Sequence, residues 1–183
     1  MVADQLKEKK MSNFPGWLKT KELTPNDIDA VIDLQKAVID ALANKDLLRE
    51  NTEEMFLDCI NHGTFIGVFT GEDELVAFGI SIDARGTDED LSIGLATHTA
   101  YAPINMKNTM VHPKYRGLGL QRSLLRELAD DAAYRGYTHG IATVSPVNKH
   151  SLINLLKEDY EYDHIATKYG GKERFVMVKT FNE

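Results

Sequence analysis

The sequence is poor in cysteine, in long apolar runs and in net positive charge, and each shortage excludes a class of protein. Cys59 is the single cysteine, so a disulfide framework within the chain is impossible, and no zinc-binding cluster is visible. No apolar run reaches membrane-spanning length, and the N-terminus is polar and charged. The net charge of −7 argues against a general nucleic-acid binder. We therefore expect a cytoplasmic protein without nucleic-acid or membrane partners.

The chain length suits one domain with an adequate core. With 183 residues, we expect a single domain over residues 1–183, in which 1–14 form a loose N-terminal arm or a short helix. Cys59 shares an apolar helix face with Met55, which favours a buried structural thiol over a reactive one.

The most informative stretch is residues 111–121, which read Val-His-Pro-Lys-Tyr-Arg-Gly-Leu-Gly-Leu-Gln. Gly117 and Gly119 can adopt positive φ and let the backbone approach a ligand closely. The first turn of the helix that follows has unpaired N–H donors and a partial positive charge, which bind anions such as pyrophosphate. Three cations surround this turn: Lys114, Arg116 and Arg122. The stretch is typical of a phosphate cradle that opens a helix.

The surrounding pattern predicts a strand, this loop, a helix and a second strand. Residues 108–112 and 140–145 read as strands, and the helix between them ends at Arg135 and Gly136. The helix has an apolar face at helical spacing, formed by Leu120, Leu124, Leu125, Leu128, Ala132 and Ala133. Such a unit makes two parallel strands joined by a right-handed crossover.

Two common phosphate-binding motifs do not fit this loop. In a dinucleotide fingerprint Arg122 would occupy the third glycine position, and the next strand ends in Ser145-Pro146 without an acid. No Gly-Lys-Ser/Thr occurs, which excludes a P-loop. The remaining alternative is a glycine turn at a helix N-terminus that binds nothing.

A wider pattern resembles the GNAT superfamily of acyl-CoA-dependent N-acyltransferases. The pattern is Val111-x-Pro113-x-Tyr115-Arg116-Gly117-x-Gly119-Leu120, then the helix, a strand and Asn148-x-x-Ser151. The family signature Arg/Gln-x-x-Gly-x-Gly/Ala falls on Arg116, Gly119 and Gln121, where Gln121 replaces the usual small residue. The resemblance is dense over residues 109–160.

The resemblance implies a fold, a cosubstrate and a set of binding residues. The fold would be α/β (α+β), a GNAT-like three-layer fold. Its sheet would be mixed, mostly antiparallel and of six to seven strands, with helices on both faces and a splayed parallel pair at the cofactor site. Acetyl-CoA would be the acyl donor, without a metal. Its pyrophosphate would lie on the backbone amides of Gly117, Leu118, Gly119, Leu120 and Gln121, near Arg116 and Arg122. Its pantetheine would contact Met110, Val111, Asn148 and Ser151. Asn148 could equally be a helix N-cap, and both roles can hold.

The element order read from the whole chain is β-α-α-β-β-β-α-β-α-β-β, the order of the GNAT fold. The remaining elements are a strand over 17–23, a helix capped by Thr24, a helix from Asn51 to Gly63, and hairpins over 64–83 and 163–181. The helix after Thr24 has an apolar face of Ile28, Val31, Ile32, Val38, Ile39 and Leu42. Residues 84–104 are longer than a turn needs. They predict either a surface excursion with a short helix or a wall of the acceptor site that includes His98 and Tyr101.

The resemblance predicts direct attack of a neutral amine on the thioester but leaves the catalytic residues unknown. Asp83, Glu89, Tyr101 and His112 are unranked candidates for the base. The tyrosine that many family members use as the acid falls on Leu155, and the family's Gly-Phe pair falls on Asp159-Tyr160.

Three functions therefore stay open. The first is an N-acetyltransferase for a primary amine on a small molecule, peptide or protein, working as a monomer or homodimer. The second is a non-catalytic acyl-CoA-binding regulatory domain, and the third and weakest is a nucleotide-binding module.

Overall fold

The computed structural model of the chain describes residues 14–97 and 101–181, so His98 and residues 1–13 of the predicted arm lie outside it. The strands are β1 (Lys19–Glu22), β2 (Gly63–Phe69), β3 (Leu75–Ile82), β4 (Pro103–Val111), β5 (His139–Val144), β6 (Glu161–Lys168) and β7 (Lys172–Thr180). The α-helices are α1 (Ile28–Asp40), α2 (Glu53–His62), α3 (Leu120–Tyr134) and α4 (Lys149–Lys157). The predicted element order is confirmed.

The strands form one seven-stranded sheet in the order β1-β2-β3-β4-β5-β7-β6. Every neighbouring pair is antiparallel except β4 and β5, which are parallel and joined through α3. This arrangement confirms the predicted mixed sheet with a single parallel pair.

Helices cover both faces of the sheet. On one face, α1 and α2 pack onto aromatic residues of β2 and β3, among them Phe65 and Phe78. On the other, α3 packs through Leu124 and Leu128. Gly79 allows this contact, because a Cβ there would stand 2.9 Å from Leu128 Cδ1. Cys59 lies on the buried face of α2, as predicted, and burial raises the pKa of its thiol.

The two parallel strands separate soon after they pair. Only Pro103–Asn105 of β4 is in register with His139–Ile141 of β5. On its other edge β4 stays paired with β3 up to Val111, with a register shift after Ile80. The backbone of β4 beyond Asn105 therefore faces a gap. The predicted splayed pair is confirmed.

Some predicted boundaries are wrong by a few residues. The second helix begins at Glu53 and not at Asn51, because the Thr52 side chain accepts the cap hydrogen bond from the Met55 N–H at 3.2 Å. Helix α1 ends at Asp40, so Leu42 lies beyond it. Strand β4 begins at Pro103, earlier than the predicted residue 108, because its first residues pair with β5 and β3.

The segment before β4 packs on the sheet and contains no helix within its described residues 84–97. Its Leu91 contacts Ile141 and two valines of β7 in a small apolar cluster. Asp163 of β6 accepts hydrogen bonds from the N–H groups of Ala96, at 2.6 Å, and Thr97, at 2.9 Å. The segment is therefore held down on the face of β5 to β7.

Candidate functional site

A cleft of about 1250 Å³ follows β4 from the point where it leaves β5 to the loop that begins α3. Its walls come from β4, β5, α3 and α4, and it extends to the β6–β7 hairpin and to the segment between α1 and α2. The diverging strands thus produce a long cleft between the cradle-forming loop and the β6–β7 hairpin.

The loop at one end of the cleft has the geometry of an anion cradle. Gly117 and Gly119 have φ of +84° and +75°, and open space surrounds the position of a Cβ at each. Gly119 is the N-cap of α3, so the backbone amides of the first helical turn face the loop without a side-chain cap. The exposed Arg116 makes no ion pair with any residue described. We refer to residues 116–122 as the cradle.

The cleft brings together ten of the eleven residues predicted to bind the cosubstrate. The exception is Leu118, whose half-exposed side chain points to solvent between the two glycines. The ten that line the cleft are Met110, Val111, Arg116, Gly117, Gly119, Leu120, Gln121, Arg122, Asn148 and Ser151.

Strand pairing decides which backbone groups of β4 face the gap. The His112 N–H donates to the Val76 oxygen of β3 at 2.8 Å, and Met110 is opposite Phe78. Because successive residues of a strand direct their N–H and C=O groups to opposite edges, Val111 directs its pair away from β3 and into the gap. Met110 directs its backbone toward β3 and buries its side chain in the core.

Gln121 ties together the three elements around the cleft, a role that its position in the motif does not reveal. Its side-chain NH₂ donates to the hydroxyls of Thr109 (3.1 Å) and Ser151 (3.0 Å). Its oxygen accepts from Asn154 at 2.7 Å. A small residue at this position would leave α3, β4 and α4 without this link.

Arg122 is already paired before any ligand arrives. Its Nε donates to Glu158 at 2.6 Å, and Arg126 donates to the same carboxylate at 2.6 and 2.8 Å. Glu158 is buried, so two partly exposed arginines neutralise one buried carboxylate.

Asn148 is an N-cap of α4, as the alternative predicted, because its side chain accepts a hydrogen bond from the Ser151 N–H at 3.2 Å.

Of the four candidate bases, only Glu89 lines the cleft. Burial opposes its ionisation, but hydrogen bonds from Lys107 and Arg49, each 2.7 Å long, hold the pKa of Glu89 below its ordinary value. Asp83 lies elsewhere, and a hydrogen bond from Arg85 lowers its pKa to about 2.

The other two candidate bases are also outside the cleft. Tyr101 is 84% exposed. His112 accepts a hydrogen bond from the Lys114 N–H at 3.2 Å through its Nδ1 and caps the turn after β4. The geometry of the described residues therefore offers no free carboxylate or imidazole among the four.

The position of the family's tyrosine holds an apolar side chain. Leu155 is buried in the core at the wall of the cleft. Tyr160 is fully buried, and its hydroxyl has no hydrogen-bond partner within the described residues. Burial raises the pKa of Tyr160, and the residue does not line the cleft. Asp159 has a φ of +62°, consistent with the glycine that the family pattern has at this position.

The other end of the cleft, which we call the distal end, carries six polar residues, of which the sequence interpretation had named only Glu89 as a functional candidate. It consists of Arg49, Asn51, Glu89, Lys107, Tyr169 and Arg174. Glu89 bridges Arg49 and Lys107, and the Arg49 guanidinium lies 4.8 Å from the centre of the Tyr169 ring. In the sequence, the further signal for this end is Lys107, which follows the four buried residues at the start of β4.

Two further properties concern ions and membranes. Within residues 14–97 and 101–181, no three His, Cys, Asp or Glu side chains are grouped closely enough to hold a metal ion. None of the helices in that same part of the chain combines the length and the apolar character that a membrane span requires.

Solved structures of acetyltransferases share this architecture. The ribosomal-protein-S18-alanine N-acetyltransferase of Escherichia coli matches with a TM-score of 0.69 at 16% identity, covering 91% of this chain and 95% of that one. The PaiA N-acetyltransferase of Thermoplasma acidophilum, in complex with coenzyme A, matches with a TM-score of 0.63 at 14% identity, covering 90% and 99%. A GNAT-family acetyltransferase of Streptococcus pneumoniae matches with a TM-score of 0.67 at 14% identity, again covering 90% and 99%.

At the level of sequence, no protein-family model and no curated protein matches the chain. The likeness is therefore one of three-dimensional structure, and it extends over nine-tenths of the chain. The splayed parallel pair, the glycine loop before α3 and the helices on both faces together give this chain the fold of the GNAT N-acetyltransferases.

Proposed function

We propose that the protein is an N-acetyltransferase that moves an acetyl group from acetyl-CoA to a primary amine. The observation that carries the proposal is the gap between β4 and β5, which is continuous with the cradle at the start of α3. A phosphate-binding loop at one end of an exposed strand edge suits a long ligand with a pyrophosphate and an amide-containing arm. The coenzyme A complex of the similar Thermoplasma acidophilum enzyme supports this choice of cosubstrate.

The residues present fit such a cosubstrate. The open space at Gly117 and Gly119 lets phosphate oxygens approach backbone amides. We propose that Arg116 adds charge there, and that Leu118, Leu120 and Gln121 contribute backbone amides. Val111 offers its C=O to the pantetheine arm, while Asn148 and Ser151 line the same wall. Arg122 would meet a ribose phosphate only as a member of its ion pair with Glu158.

The chemistry we propose is direct attack by the free amine. The amine lone pair forms the new N–C bond, the thioester C–S bond breaks, and the sulfur leaves as thiolate. The Val111 N–H, directed into the gap, is placed to donate to the oxyanion. With Leu155 at the position of the usual acid, the thiolate leaves unprotonated, which its modest pKa permits. Water in the open cleft accepts the ammonium proton, because Glu89 is held by two cations.

The experiment is thiol release from acetyl-CoA over a panel of primary amines, with the acetylated product identified by mass spectrometry. We expect release that depends on the amine and a rate that rises with pH up to the amine's own pKa, since only the free amine reacts. A rate plateau well below that pKa would contradict the proposed absence of a side-chain base.

A non-catalytic acyl-CoA-binding domain is the second candidate. It is favoured because the apolar Leu155 occupies the position of the usual acid and because Tyr160 is buried outside the cleft. Tight binding of CoA without thiol release from any amine would support it. ATP binding that outcompetes CoA would instead support the nucleotide-binding module.

The remaining predictions belong to the same proposal. We propose one acyltransferase domain over residues 1–183, working in the cytoplasm without a metal, as a monomer or homodimer, on an amine and not on nucleic acid or a membrane. The continuous seven-stranded sheet supports the single domain.

A further inference from the structure

A buried arginine at the distal end has no carboxylate beside it in the part of the chain that the structure describes. Arg174 is 5% exposed and lines the cleft. Its Nη1 donates to the Glu173 backbone oxygen and its Nη2 to the Asp46 backbone oxygen, both at 2.8 Å. Within residues 14–97 and 101–181 no carboxylate lies within 4.0 Å of it. Burying a charge costs free energy unless an opposite charge accompanies it, so this guanidinium is prepared for an anion that the described residues do not supply.

The neighbouring charges reinforce this deficit of negative charge. Tyr169 lies between two guanidinium groups, with Arg49 at 4.8 Å and Arg174 at 6.0 Å from its ring centre. Glu89 is the one carboxylate among the residues of the distal end, and it is shared by Arg49 and Lys107. Among the six residues of the distal end, three are cations and one is an anion, whereas the further carboxylates that line the cleft, Glu50 and Asp88, are exposed to solvent.

An amide at the same end also lacks partners. Asn51 is 4% exposed and lines the cleft, and neither its Nδ2 nor its Oδ1 has a hydrogen-bond partner within the described residues. Its backbone is fixed, because its N–H donates to Gln35 Oε1 at 2.9 Å and its C=O accepts from Gln35 Nε2 at 2.8 Å. An unsatisfied buried amide beside a cleft is a feature that a polar ligand would satisfy.

The distal end is also held in place before a ligand binds. The tip of the β6–β7 hairpin turns with positive φ at Tyr169, Gly170 and Gly171. The Tyr169 hydroxyl is hydrogen-bonded to the Thr143 hydroxyl at 3.0 Å, which fixes the ring over β5. Arg174 in turn fixes the backbone at Asp46, so the walls of this end are cross-linked by its own cations.

We propose that the acceptor is an amine that carries an anionic group, a carboxylate or a phosphate monoester, and that Arg174 and Asn51 bind this group at the distal end of the cleft. This inference rests on the proposed acetyltransferase function. The guanidinium keeps three N–H donors beyond the two that it gives to backbone oxygens, enough for a bidentate contact to either anion. The Asn51 NH₂ supplies a further donor.

The first experiment compares matched acceptors. Thiol release from acetyl-CoA is measured with 4-aminobutyrate against its carboxamide, and with phosphoethanolamine against ethanolamine. In the wild type we expect kcat/KM to be at least about tenfold higher for the anionic member of one pair, and that pair identifies the anion. In Arg174→Gln the ratio should fall toward one while CoA affinity stays unchanged.

Two further variants separate recognition from folding. Lys179→Gln removes a cation from the same strand outside the cleft and should leave the ratio unchanged. Arg174→Lys keeps the positive charge but loses the planar guanidinium that binds an anion through two donors. This variant should retain part of the preference for the anionic acceptor, even if Arg174→Gln is unstable. Asn51→Ala should lower kcat/KM for the anionic acceptor without lowering the melting temperature, since its amide makes no bond within the described residues.

Binding measurements keep the inference distinct from the proposed function. If no amine is acetylated, calorimetry of the CoA-loaded protein with the N-acetyl derivatives of the same four compounds still tests the distal end. Preferential binding of an anionic derivative that Arg174→Gln abolishes supports the anion site, even though the proposed catalysis has failed. Equal binding of charged and neutral derivatives, or an Arg174→Gln variant with an unchanged preference, overturns the inference.

Discussion

Cations line both ends of the cleft, but the two ends neutralise them differently. At the cradle, Arg122 shares the buried Glu158 with Arg126 of the next helical turn, while Arg116 stays exposed to solvent without an ion pair among the described residues. At the distal end, Arg174 is buried and rests on backbone carbonyls. An exposed cation can meet a mobile phosphate at little desolvation cost, whereas a buried one is fixed in advance. We infer that the cradle attracts a ligand and that the distal end selects one.

The largest effect should come from removing the carboxylate that neutralises the cradle. Glu158→Gln leaves two arginines without their shared anion, and we expect a loss of about 2–3 kcal/mol in the free energy of unfolding, moderated because both arginines reach water. Urea denaturation measures it. Glu22→Gln, an exposed carboxylate on β1, is the control and should change stability by less than about 0.5 kcal/mol. Equal losses of unfolding free energy in the two variants would mean that the buried Glu158 and its two arginines stabilise the fold no more than an exposed carboxylate does.

The next effect separates charge from shape in the cradle. Gly119→Asp places a carboxylate where phosphate is expected, and Gly119→Asn places a neutral side chain of nearly the same shape there. Both tolerate the positive φ better than other residues. We expect Asp to weaken CoA binding at least about thirtyfold relative to Asn, which corresponds to about 2 kcal/mol. Calorimetry with CoA measures this, and equal affinities of the two variants would contradict the cradle.

The two cradle arginines should differ from each other. Arg116→Ala should weaken CoA binding about tenfold, because its unpaired charge is available to phosphate. Arg122→Ala should weaken it only about twofold, since Glu158 already neutralises that guanidinium. Repeating both titrations with dephospho-CoA locates each contact. If Arg122 serves the ribose phosphate, its small effect disappears with dephospho-CoA, whereas the effect of Arg116 persists.

The smallest effect on stability should come from the ion pair between Asp83 and Arg85, which lies outside the cleft and serves as a comparison for the two ends. The hydrogen bond from Arg85 lowers the pKa of Asp83 to about 2, so the folded state binds this proton less readily than the unfolded chain. The resulting stability is present above pH 4 and is lost as the pH falls from 4 to 2. Because both members of the pair reach water, with Arg85 50% and Asp83 26% exposed, Asp83→Asn should cost less than about 1 kcal/mol at pH 7. Acid denaturation should show a correspondingly flatter pH profile for the variant.

Much of the cradle end of the cleft could be predicted from the sequence, because its signals are local. Positive φ at Gly117 and Gly119, the apolar face of α3 and the turn after β4 depend on residues close together in the chain. Asn148 as a cap likewise follows from its position before a helix. Turns, caps and helix faces of this kind can be predicted from neighbouring residues before the fold is known.

The distal end could not be predicted in this way, because it is formed by residues that are far apart in the sequence. Arg49, Lys107 and Arg174 come from a loop, a central strand and a hairpin, and only the folded sheet places them around one cleft. Asn51 is a further residue whose place at the cleft depends on a chain-distant contact. Gln35, sixteen residues away, fixes the Asn51 backbone and leaves its amide beside the cleft.

Hydrogen–deuterium exchange with and without CoA tests most directly whether the gap between the splayed strands is the binding site. Amides that face the gap on β4, such as that of Val111, should gain protection together with those of residues 117–121, while the β1–β2 edge stays unchanged. Protection confined to other parts of the chain, or no protection at a CoA concentration that saturates binding, would contradict the account.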